Sequence, residues 1–417
     1  MIAAAIPALA AGSPAVNDPG WKWAAPAMHD LVVNHGWPSA DSANLGRIAT
    51  RRELARAVAE LMISRGQTPP TGLATPPDIA PTDPDARAIS WVTITHLVGA
   101  PGVPFSPNTT VTGVTAEVAI TRVLGLGTEI STLNTLHTAN GTRLPVPSGF
   151  GSQVLAGELG LRHNYPFSVE KLETATTAPM PLAELAGMVD GAMHLSSWQL
   201  ASVGNFAGIV LPNLTANQRT VITNALAQTG QPYIWGGTSP VTQWLWGSTY
   251  PGGFDCSGLV WWAFKLGPGT QGLGTDIVGR TADYMAWERP SQRVAISSLR
   301  PGDLVFFGPN GPRSPRGSIS HVAISLGNGW IVQSTGSRDG VTVTHLSGYW
   351  DSGVAWARRP AAMGTTAAAS PMTSARWGAL SRFIRLHFAP RLRHRTWTYF
   401  TSHPTRAYTF LRAHRLG

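Results

Sequence analysis

The stretch PGGFDCSGLVWWAFKLG, residues 251–267, decides the reading of this chain. A Gly/Pro loop gives way at Asp255 to an apolar run ended by Gly267, the pattern of a short buried helix with Cys256 in its first turn. A thiol there faces the positive end of the macrodipole and amides without intrahelical partners, which favour the thiolate and can hold a developing oxyanion. Cys256 is the only cysteine, so intramolecular disulfides and multi-cysteine zinc or iron–sulfur sites are excluded, and no metal or cofactor is expected. A lone cysteine is ordinarily a small buried hydrophobe. Its assignment as a nucleophile therefore depends on what else the chain supplies.

A base is supplied sixty-five residues later. His321 opens the alternating run HVAISL, a strand, and Gly327-Asn328-Gly329 is a hairpin signal followed by a second strand, WIVQ. A tight turn brings the start of the first strand and the end of the second to the same end of the ribbon, so Gln333 is expected beside His321. An amide oxygen accepting from one ring nitrogen would fix the tautomer and aim the other nitrogen at the thiol.

In chain order, Tyr233-Ile-Trp-Gly-Gly237, Phe254-Asp-Cys-Ser-Gly-Leu259, Arg300-Pro-Gly-Asp-Leu-Val-Phe-Phe307 and His321-Val-Ala-Ile-Ser-Leu-Gly-Asn-Gly329 closely resemble the motifs of the NlpC-type cysteine peptidases, papain-like enzymes of bacterial cell walls. The resemblance covers about residues 215–360. It implies an α+β catalytic domain with N-terminal helices packed on an antiparallel sheet, Cys256 as nucleophile, His321 as base and Gln333 in the third polar position. It places Tyr233 near the nucleophile and Asp255 and Ser257 along the acyl-side subsite. Arg280 of Gly-Arg-Thr matches a P-R-T motif whose proline is here Gly279. The implied substrate is the peptidoglycan stem peptide, most often cut between γ-D-glutamate and diaminopimelate or lysine. Amidase cleavage and transpeptidation use the same acyl-enzyme chemistry and stay open; so does a non-catalytic wall-binding protein, against which the intact Cys256 and His321 count. An insertion, SPVTQWLWGSTYPGG, separates the tyrosine and cysteine motifs and is expected to reshape the cleft. There is no H-E-x-x-H, P-loop or G-x-S-x-G, and Ser168-Val-Glu-Lys171 lacks the K-T-G companion that S-x-x-K would need.

The 417 residues suggest two or three globular units, and 43% hydrophobic with 13% charged residues fits a folded chain. Upstream of the catalytic motifs, helix–loop–helix cycles recur at about 50 residues over 21–65, 78–126 and 149–189, a repeat signature. In the first, Thr50 caps a helix whose Leu54, Ala57, Val58, Leu61 and Met62 share one face. Trp23, Thr50-Arg51 with Glu53, and Phe105-Ser106-Pro107 resemble pieces of S-layer homology repeats, although Thr112-Gly113-Val114 replaces the usual T-R-A in the second cycle and the third lacks the arginine. That resemblance implies attachment of residues 14–195 to anionic wall polymers. A helical spacer that only packs is the rival reading. Either way the repeats are expected to contribute little to bond breaking. Residues 196–214 read as a linker and 215–360 as the catalytic domain, opened by a helix capped by Thr215.

The formal charge of +9 is concentrated in the tail. Residues 361–417 hold 9 arginines and no acidic residue, leaving 22 basic against 22 acidic residues in the first 360. A neutral body argues against nucleic-acid binding. The Arg/aromatic tail reads as flexible, with an anionic membrane or wall polymer as its expected partner if it has one. Residues 1–13 resemble a truncated secretory signal, and the expected location is secreted or wall-associated in a bacterial envelope.

Overall fold

The computed structural model describes residues 19–364, 380–381 and 384–386. The first-13-residue signal reading and nearly all of the basic tail lie outside the described residues; of the tail, Leu380 and Ile384 are buried. No helix among the described residues is long and apolar enough to cross a membrane.

Helix pairs α1 (Ala25–Asn34) and α2 (Arg51–Ser64), then α3 (Ala86–Ile94) and α4 (Gly113–Val123), open the chain. Helix α5 (Gly127–Asn134) stands outside this pairing, and α6 (Phe150–Glu158) with α7 (Leu182–His194) makes a third pair. The second helices of the three pairs start at one place. Ala49, Val111 and Met180, each just before a helix cap, close a ring in which Ala49 N–H donates to Met180, Met180 N–H to Val111 and Val111 N–H to Ala49, at 2.8, 2.8 and 3.0 Å. The first helical amides continue the cycle, Arg51 donating to Thr109 O and Leu182 to Arg47 O, both at 2.8 Å. Helix N-termini leave amides without intrahelical acceptors, and here each start is satisfied by the extended residues preceding another. This is the physical basis of a three-membered arrangement.

Residues singled out for the S-layer-homology resemblance all have internal partners. Glu53 closes a capping box, accepting from Thr50 N–H (2.6 Å) and from the Thr50 hydroxyl. The Arg51 guanidinium lies 4.8 Å over the Phe105 ring. Trp23 stacks on His163 at 3.7 Å.

The presumed linker is packed structure. Residues 196–214 contain α8 (Ser197–Ser202) and bury Phe206, Ile209 and Leu211. Phe206 packs on Trp330 with ring centroids 4.7 Å apart, and Asn328 Nδ2 donates to Val210 O at 3.0 Å. Its apolar residues, spaced through a polar-looking segment, are what the composition-based reading overlooked.

Helix α9 (Ala216–Leu226) is capped by Thr215. Short strands β1 (Thr238–Ser239), β2 (Gln243–Leu245), β3 (Ser248–Tyr250) and β4 (Gly253–Phe254) lead to α10 (Cys256–Trp261), which continues as one π turn to Leu266 before Gly267. After α11 (Ala282–Trp287) come β5 (Arg293–Val294), β6 (Leu304–Phe307), β7 (His321–Gly327), β8 (Trp330–Thr335), β9 (Gly340–His345), α12 (Tyr349–Ser352) and β10 (Val354–Arg358). Six of these strands form one antiparallel sheet in the order β5-β10-β6-β7-β8-β9. The arrangement is α+β.

The helical region and the sheet are not separate bodies. One apolar cluster runs from Trp21 through Leu155 and Leu182 to Val332, Val343 and Trp356. Polar links cross as well: Arg162 donates to Asp339 O at 3.4 Å and Thr344 to Glu158 Oε1 at 2.8 Å. The expectation that residues 196–214 merely link the repeats to the catalytic domain is corrected by this shared core. Periodicity reveals which faces are apolar but not which neighbour covers them.

Candidate active site

Asp255 caps α10 and thereby places the next residue, Cys256, in the first turn. Its Oδ1 accepts from Gly258 N–H (2.5 Å) and from the Ser257 hydroxyl (3.0 Å), while Oδ2 accepts from Gly236 N–H (3.0 Å). The Y-x-W-G-G loop is thus tied to the nucleophile helix. Their approach demands glycine, since a Cβ on Gly258 would lie 1.8 Å from the Gly237 carbonyl oxygen. Arg280 completes the clamp, donating to Ser257 Oγ (2.7 Å), Asp255 Oδ1 (3.1 Å) and Gly236 O (2.9 Å). Although Gly279 stands where the motif has proline, Arg280 reaches the same cluster as Asp255 and Ser257.

The thiol sits against the start of β7, where the backbone N–H groups of Val322 and Ser257 favour its charged form. Val322 follows His321, so the start of β7 that carries the imidazole also lies beside the nucleophile helix. The hairpin behind it has the expected two-residue turn: Gly327 pairs with Trp330, and Asn328 and Gly329 take φ of +53° and +80°. With Ile324 opposite Val332, His321 and Gln333 are diagonal neighbours on one face. His321 Nε2–H donates to Gln333 Oε1 at 2.7 Å. This leaves Nδ1 bare.

Burial and the Asp255 carboxylate push the Cys256 thiol up to about 12, outweighing the two backbone donors and Arg280. Burial also pushes the His321 imidazolium down to about 4, against the opposing effects of Gln333 and Asp255. Both shifts favour the uncharged forms, a thiol and a neutral imidazole. The helix start favours a thiolate, and desolvation of the charged form opposes it here.

A cleft of about 670 Å³ is lined by Cys256 with Tyr233, Asp255, Ser257, Arg280, Ile319 and Ser320. The seven sequence-designated residues separate into two layers. Cys256, Tyr233, Asp255, Ser257 and Arg280 line this cleft, whereas His321 lines an adjoining one beyond Ser320, of about 810 Å³, and Gln333 is buried behind it. The half-buried Tyr233 is pushed well above its ordinary range, first by burial and then by the nearby Cys256. Among the described residues no group of three or more His, Cys, Asp or Glu side chains is arranged to hold a metal ion.

Several contributors were not apparent from the sequence. The inserted segment folds as the β2–β3 hairpin and sets Trp244 and Trp246 into the cleft wall beside Trp235; they are 72%, 61% and 55% exposed. The third helical pair's loop supports that wall. Glu170 Oε1 accepts from Trp235 N–H (2.9 Å), Lys171 Nζ donates to Ser248 Oγ (2.6 Å), and Phe167 meets Trp246 edge-on at 6.4 Å. Behind the imidazole, Gln333 Nε2 donates to Thr344 Oγ1 and Thr344 to Glu158 Oε1, each at 2.8 Å. Burial raises Glu158 to about 7, opposed by Arg338 and Thr344.

Comparison with known proteins covers the sheet-bearing part. Residues 230–359 match the NlpC/P60 family. The NlpC/P60 segment therefore begins after α9 and takes in both Cys256 and His321, while residues 19–229 lie outside the match. Over 167 residues the chain is 34% identical to murein DD-endopeptidase MepH of Escherichia coli K12, covering 40% of this chain and 54% of that one. It is 38% identical over 134 residues to the bifunctional muramidase/DL-endopeptidase CwlT of Bacillus subtilis 168, 31% of this chain and 33% of that one. The chain thus spans about half the length of the first relative and a third of the second. The solved structure of the peptidoglycan hydrolase RipB from Mycobacterium tuberculosis overlaps 36% of this chain and 74% of that one, at 28% identity and a TM-score of 0.26.

Proposed function

We propose that the chain is a cysteine peptidase of the bacterial cell wall that hydrolyses peptidoglycan stem peptides. The observation that supports this reading is the packing of α10, which opens with Cys256, on β7, which opens with His321, together with the His321 Nε2 bond to Gln333. Because thiol and imidazole are both neutral at rest, His321 Nδ1 takes the thiol proton as Sγ attacks the scissile carbonyl. The imidazolium then protonates the departing amine through Nδ1, and the acyl–sulfur bond remains. In the second half Nδ1 deprotonates water, which displaces Sγ and regenerates the thiol.

The cleft that holds Asp255, Ser257 and Arg280 receives the acyl-side residue of the stem peptide, and the cleft beyond Ser320 receives the leaving group. The bond assigned is γ-D-glutamyl to diaminopimelate or lysine. The two curated relatives carry different specificities in their names, DD and DL, so the bond is the point to test. Purified peptidoglycan digested with the full chain is expected to yield fragments with a free amine on diaminopimelate or lysine, read by mass analysis. New reducing ends alone, or sugar released from intact stem peptides, would replace this reading with a glycosidase or an amidase. The three-membered helical region, by its S-layer-homology resemblance, is proposed to hold the enzyme on wall polymer, which places it in the envelope.

A further inference from the structure

We propose that Glu158, at the end of α6 in the helical region and outside the NlpC/P60 segment, is a positioning residue that sets the His321 tautomer through Thr344 and Gln333. The inference deepens the peptidase reading and rests on it for its kinetic consequence, though not for its geometry.

The argument is one of hydrogen-bond direction. When ionised, the Glu158 carboxylate only accepts, so the Thr344 hydroxyl, 2.8 Å from Oε1, then has its single proton committed to Glu158. Thr344 Oγ1 then meets Gln333 with a lone pair, and the contact at 2.8 Å is made by the Gln333 NH₂ group. That turns Gln333 Oε1 toward His321, at 2.7 Å, where it demands a proton on Nε2. Nδ1 is left bare, as a base for the thiol must be. Gln333 and Thr344 are both buried, on adjacent strands β8 and β9 where Gln333 pairs with Thr342, so water does not replace the two middle members.

Without the acceptor at 158 the same atoms admit the opposite polarity. The Thr344 proton turns to Gln333 Oε1, the amide presents NH₂ to the imidazole, and His321 carries its proton on Nδ1. Such a ring cannot take the thiol proton. Glutamine fixes nothing by itself, because its amide offers a donor and an acceptor of nearly equal shape. A third polar residue of this type needs a further group to choose its orientation, and the helical region supplies that group.

The test uses the full chain. His321 is observed by ¹⁵N NMR without substrate, its signals assigned by their loss in His321→Ala. Wild type is expected to show protonated Nε2 and bare Nδ1; Glu158→Leu and the near-isosteric Thr344→Val are expected to shift the ring toward Nδ1–H. On a soluble stem peptide both should lose about tenfold or more in kcat with KM changed less than about twofold. Thr344→Ser, which keeps the hydroxyl, should stay within about threefold of wild type, whereas Glu158→Gln, whose amide can present either a donor or an acceptor to Thr344, should fall between wild type and Glu158→Leu. Wild-type tautomer and kcat in folded Thr344→Val would overturn the proposal, as would failure of Thr344→Ser to restore them. Should wild type not cleave the peptide, the peptidase reading fails by itself, and the tautomer comparison still decides the role of Glu158.

Discussion

At Cys256 the sequence and the folded environment pull in opposite directions. A helix start lowers a thiol pKa, but this thiol is buried beside Asp255, and both it and His321 favour their uncharged forms. Activity requires neutral His321, so kcat/KM should rise as pH passes upward through about 4. The alkaline limb should lie toward 12, where the thiol ionises in the free enzyme. Between these limits the profile on a soluble stem peptide is expected to carry one step, a rise near 7 as Glu158 ionises and commits the Thr344 proton; a bell whose acid limb is formation of the thiolate and whose alkaline limb is loss of the imidazolium would instead indicate a resting ion pair. Gln333→Ala should lower kcat on the order of tenfold to a hundredfold, less than removal of the sulfur, because it disorders the base without abolishing it. The positions of Cys256, His321 and Gln333 were legible because a helix signal, a strand alternation and a two-residue turn are local patterns. The charge state was not, since it depends on residues that pack over the site from elsewhere.

At the level of elements, the β2–β3 hairpin turns an unexplained insertion into a cleft wall. Its tryptophans retain large exposed surfaces in the cleft that holds Cys256, so their apolar faces are left open to a ligand instead of being buried in a core. Trp244→Ala should raise KM by about three- to tenfold with kcat nearly unchanged, measured on cross-linked peptidoglycan fragments. An equal drop in kcat with unaltered KM would mean that the hairpin positions the catalytic pair instead. The insertion was visible in the sequence as WLWGSTY, but its pairing, with Trp244 opposite Thr249, was not, because its strands are only three residues long.

Taken as a whole, the molecule departs most from what the repeat pattern suggests. Three helix pairs were readable from spacing, and their convergence at Ala49, Val111 and Met180 gives that spacing a structural basis. What the pattern concealed is that the third pair continues into the site, through Glu158 behind His321 and Glu170 beside Trp235. An isolated fragment 196–360 would expose the apolar face now covered by Leu155 and lose both contacts. It is therefore expected to be less stable and substantially less active on a soluble stem peptide than the full chain. Equal kcat/KM and an unchanged Tm would show that the helical region serves the enzyme only from a distance.

The most direct test is mass analysis of purified peptidoglycan digested in parallel by the full chain and by Cys256→Ala, a change that removes the sulfur from a buried site at little cost in volume. Stem-peptide fragments with new free amines from wild type, and none from an equally folded variant, are the predicted result. Hydrolysis that persists in Cys256→Ala would contradict the thiol mechanism on which the account rests.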